Sequence, residues 1–249
     1  MSNVAVTWDY TSLAKHYDKR ADYADDAIKK MLALAKPNPA TPIADIGAGT
    51  GKLTVLLLAH GYSVRAVEPN QAMREIGQKN TEGKKATWSV GQGEETGLPS
   101  GEFELVTFGS SFNVTDRQKT LIEVTRILKP RGWFACMWNH RDLDDPIQTL
   151  CEKLIRARVP AYDYGSRRED QTEVIRASGL FEEATTIEGK LTNTISRDDF
   201  IEAWRSHGTL QRQAGEAFHG IIADIEKAIT QPNITVPYTT RMWVARRKS

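Results

Sequence analysis

The stretch Ile43-Ala44-Asp45-Ile46-Gly47-Ala48-Gly49-Thr50-Gly51 decides the fold, because an apolar run of strand character ends on an acid and three alternating glycines. Residues without a Cβ let a strand-to-helix turn take left-handed dihedrals and let a ligand lie almost against the main chain. A dinucleotide fingerprint reads G-x-G-x-x-G, and here the last gap is one residue short. Asp45, just before the first glycine, would repel a pyrophosphate but suits a ligand that carries an ammonium group. Asp45, Gly47, Ala48, Gly49 and Gly51 are therefore candidate cofactor residues.

A helical stretch over 52–60 follows, and Tyr62-Ser63-Val64-Arg65-Ala66-Val67 reads as a second strand ending on Glu68. A carboxylate there, about twenty residues beyond the glycine turn, is placed to accept two hydrogen bonds from a ribose diol. Turn and acid together favour S-adenosylmethionine over a nucleotide.

Four blocks in order extend the pattern: DIGAGTGKLT at 45–54, AVEPN at 66–70, GQGEETGLPSGEFELV at 91–106 and LIEVTRILKPRGWF at 121–134. With YTTRMWVARR at 238–247 as a closing strand, the chain resembles the class I S-adenosylmethionine-dependent methyltransferases of the small-molecule type, those of secondary metabolism among them. The resemblance implies an α/β fold: a doubly wound, mostly parallel seven-stranded sheet with helices on both faces, Rossmann-like, plus a helical substrate-cover insertion. It implies S-adenosylmethionine as cofactor, S-adenosylhomocysteine as product, and cofactor contacts from Pro69, Gln92, Gly93, Glu94 and Gly109. It also implies that Tyr17, in the segment before the core, reaches the cofactor's amino-acid end. Two positions depart from the family. Gln92 stands where an acid usually meets the adenine amino group, a bond its side-chain oxygen can still accept, and Arg131-Gly132 replaces a glycine pair.

Composition agrees. A chain of 249 residues, 40% hydrophobic, buries one substantial core with an added lid. A net charge of +1 gives no long-range field for nucleic acid. No apolar segment is long enough for secretion or for a bilayer, so a cytoplasmic protein without a membrane partner is expected. Cys136 and Cys151 fit reduced thiols and form no metal-ligand pattern. Strand character at 43–47, 63–68, 86–90, 105–109, 133–139, 184–195 and 235–246 alternates with helical stretches. The expected organisation is an N-terminal helical lid at 1–36, a cofactor-binding core at 37–140, an inserted cover at 141–169, and the rest of the core at 170–249 with a helical cover near 197–230.

Methyl transfer from a sulfonium needs alignment more than side-chain chemistry, so the lack of a triad or metal site is compatible with it. After the fourth strand the chain reads Gly109-Ser110-Ser111-Phe112-Asn113, without the acid-or-asparagine, proline and aromatic motif of enzymes that methylate base amines. The expected acceptor is a nitrogen or oxygen of a small molecule. Tyr10, Tyr17, Phe112, Trp138 and Trp204 are candidates to wall the cleft, with core packing the alternative for each. Asn113 and Asn139 flank them. His140, at the carboxyl end of the fifth strand, is the candidate base, with His207 second; a structural role is the alternative for both. Arg156, Arg158, Arg167 and Arg168 admit two roles, a solvated basic face or contact with an acceptor carboxylate. Two other classes stand beside this reading: a non-catalytic protein that binds the same cofactor for regulation or scaffolding, and an NAD(P)-dependent oxidoreductase, which would want the longer glycine spacing and a hydride-site pair.

Overall fold

The computed structural model describes residues 20–249 and, at Ser166 and Arg167, the backbone alone. Seven strands form one sheet in the order β3-β2-β1-β4-β5-β7-β6: β1 Ile43–Ile46, β2 Val64–Val67, β3 Ala86–Ser89, β4 Phe103–Gly109, β5 Leu128–Arg141, β6 Thr185–Ser196 and β7 Asn233–Arg246. Pairings from β3 across to β5 are parallel, and β7 runs antiparallel to both β5 and β6. The helices are α1 Asp25–Ala35, α2 Lys52–Ala59, α3 Gln71–Asn80, α4 Arg117–Ile127, α5 Pro146–Arg158, α6 Thr172–Ala177, α7 Arg197–Arg205, α8 Gly208–Ala214 and α9 Phe218–Ala228. The doubly wound, mostly parallel sheet expected from the sequence is thus observed.

Strand alternation sorts the core into two layers. On β5, Phe134, Cys136 and Trp138 face α4 and α6, whereas Ala135 and Met137 face α1 and α2; Trp243 and Ala245 on β7 join the first set, Met242 and Val244 the second. Of the segment expected as an N-terminal lid, the described helix α1 packs on the sheet. Ala27, Ile28 and Met31 of α1 are fully buried against the sheet, because the helix turns one apolar stripe toward Leu53, Leu57 and Met242.

Local sequence sets where helices begin. Asn70, Asp116, Asp145 and Ser196 each accept a hydrogen bond from a backbone N–H in the first turn of α3, α4, α5 and α7, a cap worth about 1 kcal/mol. Arg131 has a left-handed backbone with φ 62°. That conformation is natural to glycine, which explains why the family favours glycine there and what this chain spends to differ.

The two expected cover segments meet. Cys151 and Ile155 of α5, Phe200, Ile201 and Trp204 of α7, Leu210 of α8, and Ile221, Ile222 and Ile225 of α9 share one apolar cluster with Ile234 and Val236 of β7. The first part of β7, at Ile234 and Val236, therefore packs on these helices, and its later part, from Met242 to Ala245, completes the core. Among the described residues no helix is long and apolar enough to cross a membrane.

Candidate functional site

At the carboxyl end of β1 the chain turns through Gly47 (φ +63°) and Gly49 (φ +59°) into α2. A Cβ on Gly47 would lie 2.5 Å from the Ser111 Cβ, and Ser111 donates its hydroxyl to the Ile46 carbonyl at 2.7 Å. The first glycine is thus required by the loop after β4. Gly49 is different, since its Cβ position touches only the tip of Met73.

A small cavity opens against this turn, lined by Tyr23, Asp45, Gly47, Ala48, Gly49, Thr50, Lys52, Leu53 and Gly109. Asp45 is fully buried and accepts hydrogen bonds from the Thr54 hydroxyl at 2.6 Å and the Thr107 hydroxyl at 3.2 Å. Desolvation outweighs those bonds and pushes its carboxyl up to about 7. The Thr50 hydroxyl oxygen, in the same wall, is buried without a hydrogen-bond partner among the described residues.

Glu68 closes the turn from β2. Its carboxylate accepts from the Gly49 N–H and from the Asn70 N–H, each at 2.8 Å, and burial raises its pKa above the usual value although both bonds oppose this. A carboxylate has about four acceptor sites, so a diol can still be held. Pro69 follows at the exposed bend.

A larger cavity, open to solvent, lies beyond the carboxyl ends of β4 and β5 and is walled on one side by Phe200, Ala203 and Thr209 of the helical segment. Tyr23 and Lys52 line both cavities. The expected residues Asn113, Trp138, Asn139, His140 and His207 line it as well. Trp138 donates its indole N–H to the Asn113 side-chain oxygen at 2.9 Å. Asn139 donates to the Asp22 carbonyl at 2.7 Å, strapping the segment before α1 to β5. His207 accepts from the Leu210 N–H at 3.2 Å through Nδ1, so a neutral ring carries its proton on Nε2.

Other expected residues lie elsewhere in the structure. Phe112 begins a short 3-10 turn that rotates it into the core, where it is fully buried with ring centroids 5.6 Å from Phe108 and 5.2 Å from Phe134; its neighbours Asn113 and Val114 take the wall instead. Trp204 packs within the helical cluster, with the Arg141 guanidinium stacked on it at 4.1 Å and the His207 ring at 5.3 Å, and those two side chains line the cavity in its place. Gln92, Gly93 and Glu94 border neither cavity. Gln92 is exposed, Gly93 packs on Thr115, and Glu94 accepts from the Asp116 N–H ahead of α4 at 2.5 Å. Tyr10, Tyr17 and the Arg167 side chain lie outside the described residues. Sequence reading missed Tyr23, Ser110, Arg20 and Arg141; Ser110 has φ 60°, but nothing in its residue type announces that.

Residues 44–136 match the family model of the methyltransferase domain. An uncharacterized methyltransferase of Mycobacterium tuberculosis is 32% identical over 123 residues, 49% of this chain and 48% of that protein. A ubiquinone/menaquinone biosynthesis C-methyltransferase of Rubrivivax gelatinosus is 28% identical over 51% of this chain and 53% of its own. The chain thus spans about half the length of the curated relatives it matches. A solved structure from Anaeromyxobacter dehalogenans superimposes with TM-score 0.63 at 19% identity, over 91% of this chain and 97% of that one. Phosphoethanolamine N-methyltransferase 2 of Haemonchus contortus, in complex with phosphomonomethylethanolamine and S-adenosylhomocysteine, does so with TM-score 0.54 at 14% identity, over 98% and 58%. Over residues 44–136, which carry the glycine turn and the parallel strands from β1 into β5, the chain is similar to the methyltransferase-domain family.

Proposed function

We propose that the protein transfers a methyl group from S-adenosylmethionine to a nitrogen or oxygen of a small molecule held in the larger cavity. One observation carries the reading: the cavity at the glycine turn and the cavity under the cover adjoin at Tyr23 and Lys52, so a donor in the first and an acceptor in the second meet end to end. The residues at the turn fit the donor. Asp45 is a buried carboxyl without a cationic partner among the described residues, suited to an ammonium group, and the buried Thr50 hydroxyl wants a polar neighbour. Glu68 has acceptor capacity left for ribose hydroxyls.

When bound, the sulfonium supplies an electrophilic methyl group. The chain supplies alignment and exclusion of water: the cover closes the acceptor side, and Tyr23 fixes the junction. An amine that arrives neutral needs no base. A hydroxyl does, and His140, which lines the cavity, is the residue we assign to take its proton.

The test is incubation of purified protein with methyl-labelled donor and a cell extract. Label in the small-molecule fraction supports the reading, and label confined to macromolecules overturns it. A pH–rate comparison of wild type and His140→Ala then separates acceptors: a loss of about a hundredfold with disappearance of the acidic limb marks an oxygen acceptor, whereas a modest loss with the profile intact marks an amine. A product methylated on carbon, as the name of the Rubrivivax relative states for that protein, would replace the proposed acceptor atom.

A further inference from the structure

The wall of the larger cavity is one-signed. Arg20, Lys52, Arg141 and Arg168 line it together with His140 and His207, and among its described lining residues there is no aspartate or glutamate. Two of these cations are already engaged: Lys52 pairs with Asp22 at 2.8 Å, and Arg20 donates to the Ser206 carbonyl at 2.5 Å.

Arg141 and Arg168 are held differently. Each guanidinium lies over an aromatic face, Arg141 on Trp204 at 4.1 Å and Arg168 on Tyr164 at 4.6 Å. Arg168 also donates to the Arg141 carbonyl at 2.7 Å, which ties α5's following loop to the end of β5. Among the described residues neither side chain forms an ion pair, and Arg141 donates no side-chain hydrogen bond. Glu152, the acid whose field reaches Arg168, is occupied by the Arg156 guanidinium at 2.8 Å and by the Tyr164 hydroxyl. Burial, with Arg141 and Arg241 nearby, pulls Arg168 below its ordinary pKa, while Tyr164 and Glu152 pull the other way.

Half-buried cations without a counter-ion are costly, and a stacked guanidinium keeps its planar N–H edge for an acceptor. A carboxylate or phosphate offers the matching geometry, two oxygens against one fork. Net charge does not account for the arrangement, since the whole chain carries only +1.

We propose that Arg141 and Arg168, seated on Trp204 and Tyr164, bind an anionic group of the acceptor, so that the substrate class is a small aromatic or aliphatic molecule bearing a carboxylate or a phosphate. This rests on the methyltransferase reading for its name as a substrate, but its test does not. Three probes with one ring system are titrated into the protein by calorimetry, with and without S-adenosylhomocysteine: 2-naphthoate, 2-naphthyl phosphate and the neutral 2-naphthamide. At least one anion should bind about tenfold or more tightly than the amide, and the better of the two names the group. Arg141→Gln with Arg168→Gln should erase the difference while S-adenosylhomocysteine affinity and melting temperature hold; Arg141→Lys, which keeps the charge and loses the fork, should retain part of it. If wild type binds the three probes within about twofold, or binds none, the proposal is overturned. Failure to bind S-adenosylhomocysteine would instead sink the methyltransferase reading, and the anion comparison could still be read on the protein alone.

Discussion

The phenol oxygen of Tyr23 lies 2.9 Å from the Ser110 hydroxyl, which pins the segment before α1 to the loop after β4 at the point where the two cavities join. Donor and acceptor must be aligned there to a fraction of an ångström, so this bond acts on turnover more than on binding. Tyr23→Phe should lower kcat about tenfold and leave S-adenosylhomocysteine affinity within about threefold. Ser110→Ala should do the same, and the double substitution should cost no more than either alone. Additive losses would show that the two hydroxyls act separately.

Asp45 makes the protein sensitive to pH in a defined direction. Its folded-state value of about 7 stands above the ordinary 3.8, so the folded chain holds a proton that the unfolded chain has released. The group therefore stabilises the fold fully below its ordinary value, and that contribution is lost as pH rises toward 7. A ligand ammonium reverses the balance by favouring the carboxylate. Binding of S-adenosylhomocysteine should release a proton near pH 6, and affinity should rise from about pH 6 to about pH 8. Calorimetry in buffers of different ionisation enthalpy reads this directly. Asp45→Asn should abolish both the proton release and the slope; a slope that survives would assign it to another group.

Glu68 has two duties that different substitutions separate. Glu68→Ala removes the acceptor for the Gly49 and Asn70 N–H groups, and a buried orphan donor costs about 1–3 kcal/mol. Melting temperature should fall and S-adenosylhomocysteine should bind at least about tenfold more weakly. Glu68→Gln keeps one oxygen and the side-chain shape, so it should recover much of the stability and less of the affinity. Equal recovery of both would mean that Glu68 acts on the ligand only by bracing the turn.

The glycines of the turn should fail in different ways. Gly47→Ala drives a Cβ to 2.5 Å from Ser111, so the expected result is a large drop in melting temperature. Gly49→Val meets only the flexible end of Met73 but puts a branched side chain at the cavity wall. It should lose most S-adenosylhomocysteine affinity, with a smaller stability loss from the φ of +59°. Unchanged affinity in the valine variant would remove Gly49 from the site.

The candidate cofactor half of the site can be read along the sequence because its information is local. Asp45 and its glycines follow one another along a single strand and turn, and Glu68 stands at a spacing that the fold dictates. The acceptor half is assembled across the chain, from Arg20 to Tyr238, and no periodicity connects those positions. Phe112 shows the limit well: its residue type suits a cleft wall and a core equally, and only the 3-10 turn at Phe112–Val114 decides between them. Tyr23 was hidden for a related reason. The expected helical lid over 1–36 absorbed it, whereas the helix starts at Asp25 and leaves Tyr23 ahead of it. Arg168 stood among four arginines with two open roles, and stacking on Tyr164 sets it apart from Arg156 and Arg158, which pair with Glu152 and Asp224.

The placement of β7 bears on how the molecule is made. Among the described strands β6 hydrogen-bonds only to β7, and β7 comes after it in sequence yet sits inside the sheet. During synthesis the parallel strands can assemble while β6 lacks its hydrogen-bonding neighbour in the sheet. Until β7 has emerged, the edge of β5 that it covers and the side of the helical cluster that meets Ile234 and Val236 stay open, a window in which a nascent chain is prone to associate with its neighbours. A ribosome stalled before residue 233 should therefore hold a protease-resistant parallel core and a protease-sensitive β6, which becomes resistant once β7 is out.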